Sequence, residues 1–181
     1  AGCLVTESPD FTPPQRTAPR LTAASPPTTE FIKVSKVDGA YKQEFKAQVV
    51  SEDAGQPLLE VLLIDYGIET LPGQPWREAQ PGPKLPPKSL ADGPRSVRHT
   101  WNAQVALGCH TVTMLVTHEV RGGGLDFFCP LSADDFDTLT WVVSLCDEVK
   151  GECDFSGCPV HKEGALKSYC DTVGELPNSG T

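Results

Sequence analysis

Seventeen prolines and sixteen glycines punctuate this chain, and no stretch of ten residues repeats its apolar side chains at helical spacing. Proline removes a backbone donor and clashes with the preceding turn, and glycine costs backbone entropy, so neither suits a helix interior. The chain is therefore expected to fold from strands and turns. Its 181 residues, 39% of them hydrophobic, suffice for one domain with a core. Charge excludes one class of partner. With 24 acidic against 15 basic residues and a net charge of −9, the chain lacks the cation excess that phosphate backbones require, so no nucleic-acid partner is expected. No apolar run approaches the roughly 18 residues of a membrane span. Seven cysteines point to an oxidising compartment.

Alternation at period two places the strands. In residues 44–49, Phe45, Ala47 and Val49 share one face and the charged side chains take the other. Residues 51–57 (SEDAGQP) are turn chemistry. Residues 58–66 (LLEVLLIDY) are apolar enough for a central strand, and residues 67–88 read as a proline-rich connection with little regular structure. Residues 96–105 predict a strand with Val97, His99 and Trp101 on one face. Residues 108–118 (GCHTVTMLVTH) form the clearest strand. Val112, Met114 and Val116 point one way, and Thr111, Thr113, Leu115 and Thr117 the other. Gly122, Gly123 and Gly124 predict a hairpin turn, residues 132–137 one helical turn, and residues 139–146 a last strand with Leu139, Trp141, Val143 and Leu145 on one face. Short strands without βαβ alternation favour an all-β fold, an antiparallel sandwich. Three parts follow: an extended Pro-rich tether over residues 1–30, a sandwich over 31–148, and a disulfide-rich C-terminal extension over 149–181.

The segment Ala1-Gly2-Cys3-Leu4 resembles the end of a bacterial lipoprotein signal. The resemblance implies diacylglycerol on Cys3, hence a membrane partner through that lipid. Leu4 after the cysteine implies sorting to the outer membrane of a Gram-negative cell. Lipidation would also leave an even six cysteines. The residues that follow include Pro9, Pro13, Pro14, Pro19, Pro26 and Pro27 among Ser, Thr and Ala, a composition that stays extended and semi-rigid.

Residues 49–58 (VVSEDAGQPL) look like the second-strand hairpin of bacterial immunoglobulin-like and cadherin-like repeats. Residues 106–117 (ALGCHTVTMLVT) resemble the penultimate strand of those repeats and of PKD domains. The wider pattern resembles cysteine-bearing lipoproteins of GC-rich bacteria such as myxobacteria. It implies an Ig-like sandwich over residues 31–148 and is nearly silent on activity. A competing resemblance is that of residues 61–67 (VLLIDYG) to a Tudor-domain strand, with Ile68 where that family has Asn. Tudor domains are intracellular, which conflicts with the cysteine load.

Apart from Cys3, the cysteines are Cys109, Cys129, Cys146, Cys153, Cys158 and Cys170. Fifteen pairings are possible. If residues 108–118 pair antiparallel with 139–146 and Val116 faces Leu139, then Cys109 faces Cys146. That bond is favoured, with Cys129, Cys153, Cys158 and Cys170 forming two more. A zinc alternative reads Cys153, Cys158, His161 and Cys170, a spacing that matches no standard knuckle. His110 and His118 share a strand face but lie about 27 Å apart when extended, too far for one metal. They read as partly exposed residues at the sheet ends.

No catalytic motif is present. Asp134, Asp135 and Asp137 could contribute to a calcium site with Glu52 and Asp53 if the loops meet, but turn and helix-cap roles explain them as well. No catalytic residue, metal or cofactor is assigned. The chain is expected to be a non-enzymatic, lipid-anchored envelope protein, acting as a structural or protein-interaction module with partners in the envelope. A secreted Ig-like domain that binds a glycan or protein is the alternative.

Overall fold

The computed structural model of the chain describes residues 13–68, 75–121, 128–147, 149 and 152–158. Nine strands run through them: β1 (Arg20–Ser25), β2 (Phe31–Val34), β3 (Lys36–Val37), β4 (Ala40–Val50), β5 (Leu59–Ile64), β6 (Glu78–Pro81), β7 (Arg95–Asn102), β8 (Gly108–Thr117) and β9 (Phe136–Leu145). A 3-10 turn, Leu90–Asp92, precedes β7. Among the described residues no helix is long and apolar enough to cross a membrane.

The strands make two facing sheets. In one, β4 is flanked by β7 on one edge and by β1 and β3 on the other. The second runs β2-β9-β8-β5-β6 and is antiparallel except where β2 lies parallel to β9. The all-β sandwich read from the alternation is the fold. Between the sheets Phe45, Ala47 and Val49 of β4 and Val97 and Trp101 of β7 meet Leu62, Val112, Met114, Val116, Trp141 and Val143. Trp101 and Trp141 are fully buried, and Trp141 stands 4.7 Å from Phe45, ring centre to ring centre. Burying one such ring contributes about 4–6 kcal/mol before ordering entropy is subtracted.

The five-stranded sheet is covered on its outer side too. Val61, Leu63 and Leu115 pack there under Tyr66, Trp76 and Cys129. That second layer explains why β5 is apolar at nearly every position, and why the outward threonines of β8 are buried. Two of these threonine hydroxyls are satisfied locally: Thr113 bonds its cross-strand neighbour Thr140 at 3.0 Å, and Thr117 donates to the Asp135 carbonyl at 2.6 Å.

Several expectations are corrected. Arg20–Ser25, placed in the tether, is β1, which pairs with β4 and buries Leu21. Glu78–Pro81, placed in an irregular connection, is β6 on the edge beyond β5. Residues 132–137 form no helical turn: 132–135 are bends and turns, and Phe136 already belongs to β9. Asp38 and Gly39 close the β3–β4 hairpin with φ of 53° and 77°, as a two-residue type I′ turn requires.

The favoured Cys109–Cys146 bond does not form. Val116 faces Asp137 rather than Leu139, so Cys109 faces Ser144 and Cys146 lies beyond the strand. Cys109 bonds Cys158, and Cys146 bonds Cys153. Both bridges fasten residues 152–158 to one end of the sandwich, where β8 begins and β9 ends. Cys129 is disulfide-bonded as well. Cys3, Cys170, His161 and the glycines at 122–124 lie outside the described residues.

Candidate functional site

A sandwich core is open at its ends and sides, and this one closes three such openings with a histidine on a carboxylate, His110 and His118 buried and His99 partly so. The parity that sends Val112, Met114 and Val116 inward also sends His110 and His118 inward. The expectation that these two are partly exposed is therefore corrected: each retains only 4% of its surface.

At the cysteine end, His110 places Nδ1 2.8 Å from Asp65 Oδ2 and Nε2 2.8 Å from the Ala106 carbonyl. Both neighbours only accept, so both bonds form with the imidazolium. Burial works against that charge, but Asp65 and the Ala106 carbonyl outweigh it and raise the His110 pKa above its ordinary value. Asp65 also accepts from the Thr111 N–H and pairs with Arg77 Nε at 2.9 Å.

At the opposite end, His118 stands between two carboxylates, 3.0 Å from Asp53 Oδ1 through Nε2 and 2.7 Å from Asp135 Oδ1 through Nδ1. Asp53 is fully buried and also accepts from the Ser51 hydroxyl, the Lys88 N–H and the Arg95 guanidinium. Burial alone would raise its pKa, yet these donors hold it down at about 2. Asp135 continues the chain of charges outward to Arg16, which also meets Glu119. The N-terminal segment is thereby fastened before β1 begins. A backbone bond from Thr17 to Glu52 and a bond from the Glu52 N–H to the Thr17 hydroxyl add to the attachment.

On the open side, His99 Nδ1 of β7 lies 2.9 Å from both carboxylate oxygens of Glu60 of β5. Burial raises the Glu60 pKa, against the opposing pull of His99. The bridge depends on a glycine. A Cβ at Gly82 would fall 1.6 Å from Glu60 Oε2. Gly82→Ala is expected to push the carboxylate off His99 and to cost about 1–3 kcal/mol. Chemical denaturation of the two proteins, with wild-type stability in the variant as the adverse outcome, checks this.

Beside Glu60 lies a cavity of about 260 Å³ with walls from Leu59, Val61, Pro81, Val120 and Phe128 and with Lys84 and Thr117 at its polar parts. It falls just below the range of small-molecule sites, about 300–1,000 Å³.

The candidate calcium residues are partly brought together. The loops bearing Asp53 and Asp135 do meet, but the His118 ring fills the space between them. Asp137 instead accepts from the Leu21 N–H at 2.7 Å, Glu52 accepts from the Leu90 N–H, and Asp134 is exposed. Among the described residues no group of three His, Cys, Asp or Glu side chains is disposed to hold a metal. The zinc alternative loses Cys153 and Cys158, which sit in two different disulfides.

These features define a β-sandwich module with disulfides toward its C-terminus. No known protein family matches the chain, and no curated protein matches it. Three solved structures are similar in part. The alkylpurine DNA glycosylase AlkC of Pseudomonas fluorescens, bound to DNA with an abasic site analog, is 13% identical over 71% of this chain, at a TM-score of 0.36. The chain spans only 31% of that protein. A CARDB domain from Pyrococcus furiosus, in complex with di-metal ions, is 16% identical over 75% of this chain and 98% of its own, at a TM-score of 0.34. The N-terminal domain of PorA is 14% identical over 72% and 97%, at 0.29. At these scores the likenesses assign neither activity nor ligand.

Proposed function

We propose that this chain is a non-enzymatic module of the bacterial cell envelope, anchored through a lipid on Cys3 and acting in structural or protein–protein contacts, as in an accessory subunit of a surface complex. The observation that carries the location is the pair of bridges Cys109–Cys158 and Cys146–Cys153. Such bonds persist in oxidising compartments. Support for a binding rather than a catalytic role comes from the histidines: His99, His110 and His118 each spend a ring nitrogen or both on carboxylates of the sandwich itself. The outer-membrane assignment rests on the Cys3-Leu4 pair alone.

Cysteine arithmetic sharpens the test. If Cys3 carries lipid, Cys170 is the one cysteine left for Cys129 once the two bridges are formed. Mass spectrometry of the native protein, with peptide mapping under non-reducing conditions, is expected to find an acylated Cys3 and a Cys129–Cys170 peptide. An unmodified Cys3, or a Cys3–Cys129 bond, would reject the anchor and leave the secreted binding domain.

A further inference from the structure

The acidity of this chain is not spread evenly. Side chains of even-numbered β4 residues point away from the core, because Phe45, Ala47 and Val49 point into it. The outer face of that sheet therefore carries Lys42, Glu44 and Lys46 from β4. By register it also carries Arg98 of β7, opposite Lys46, and Arg20 of β1, opposite Val50. Glu44 is the one acid among the strand residues of this face, against four cations. It is already engaged, paired with Lys46 and lying 3.1 Å from Arg98 Nε. The rest of the face carries Ser96, Thr100 and Asn102 of β7 and Gln48 of β4, with the apolar Ala40 and Val50 at the two ends of β4 and Val37 of β3 opposite Ala40. A chain of net charge −9 thus presents one face with a cation excess.

We propose that this face docks on the surface of an anionic phospholipid bilayer. Three observations favour a bilayer over a protein. The apolar side chains of the face, exposed Val37 beside Ala40 at one end of β4 and half-buried Val50 at the other, flank the cations and leave no apolar centre of the kind that fills a protein interface. Its cations rise from the same side of a sheet, with Lys42 and Lys46 about 13 Å apart along one strand, so a planar array of phosphates meets several at once. The acids of the opposite sheet stand about 10 Å farther back, so a flat anionic surface meets the cations before it approaches those acids. The proposal does not depend on acylation of Cys3. A lipid there would add a second signal to a patch that alone binds reversibly.

The test uses the full chain expressed without acylation, pelleted with vesicles of phosphatidylcholine alone or mixed with phosphatidylglycerol. Binding is expected to the mixed vesicles only, and to fall as ionic strength rises. Lys46→Glu with Arg98→Glu is expected to weaken it more than about tenfold, and Arg20→Gln with Lys42→Gln, a gentler pair, about tenfold. Lys33→Glu, an exposed change on β2 of the opposite sheet, should leave it unchanged. Equal binding to both vesicle types, undiminished binding by both double variants, or capture by an acidic polysaccharide without any vesicle binding would each overturn the proposal. Circular dichroism identifies a variant that fails to fold, in which case the other pair decides.

Discussion

Asp53→Ala is expected to lower the free energy of unfolding by about 3–5 kcal/mol at neutral pH, the cost of breaking a buried ion pair by removing one partner. The size follows from what the carboxylate holds. Its loss leaves the Arg95 guanidinium and the His118 ring buried without their common acceptor, and also strands the Ser51 hydroxyl and the Lys88 N–H. Asp53→Asn keeps the shape and one acceptor oxygen, so its loss should be smaller than that of the alanine variant. Equilibrium unfolding in urea measures both, and an alanine variant within about 1 kcal/mol of wild type would show that the cluster contributes little. The same carboxylate fixes an acid limb. Its folded pKa, about 2, lies below the ordinary 3.8. The stability it supplies is therefore complete above the unfolded value and is lost as pH falls from near 4 through 2. In Asp53→Ala that part of the acid dependence should disappear.

Removing the Cys109–Cys158 bridge by a double serine substitution is expected to cost about 2–4 kcal/mol. The two residues are 49 apart in sequence, so the bridge restricts a long loop of the unfolded chain. Cys146–Cys153 closes only seven residues and should stabilise less. Thermal unfolding of the two double-serine variants against wild type tests the order. A larger loss from the short bridge would show that its effect is made in the folded state, where it holds residues 152–158 against β9, rather than in the unfolded chain.

The inward faces of the strands were legible because period two is a property of the sequence itself. Phe45, Ala47 and Val49, then Val112, Met114 and Val116, then Trp141 and Val143, all lie in the core as read. Register was not legible. A slip of two residues leaves every side chain on its own face, so the alternation that placed β8 and β9 could not choose between Leu139 and Asp137 as the neighbour of Val116. The disulfide pairing failed on that choice.

β1 and β6 were missed for a different reason. Pro19 and Pro26 bracket RLTAAS, which buries Leu21 alone, and EAQP ends on a proline, which only an edge strand tolerates. The charge clusters were hidden by distance, since His99, His110 and His118 find carboxylates 39, 45 and 65 positions away. One signal was available. A histidine at an inward position must be given a partner, and all three have the parity of the core.

The two ends of the sandwich are secured by different means, and this gives the molecule a mechanical polarity. One end is cross-linked covalently by Cys109–Cys158 and Cys146–Cys153. At the other, a chain of ionic contacts through Arg95, Asp53, His118, Asp135 and Arg16 holds the N-terminal segment, beside the β8–β9 loop that carries the disulfide-bonded Cys129. The N-terminal segment joins at the ionic end. A load applied along that segment reaches the Arg16 contacts first, then the β1–β4 pairing, and meets neither of these bridges on the way. The Arg16 contacts would yield first and β1 next, so the segment would peel away while the body of the sandwich stayed folded.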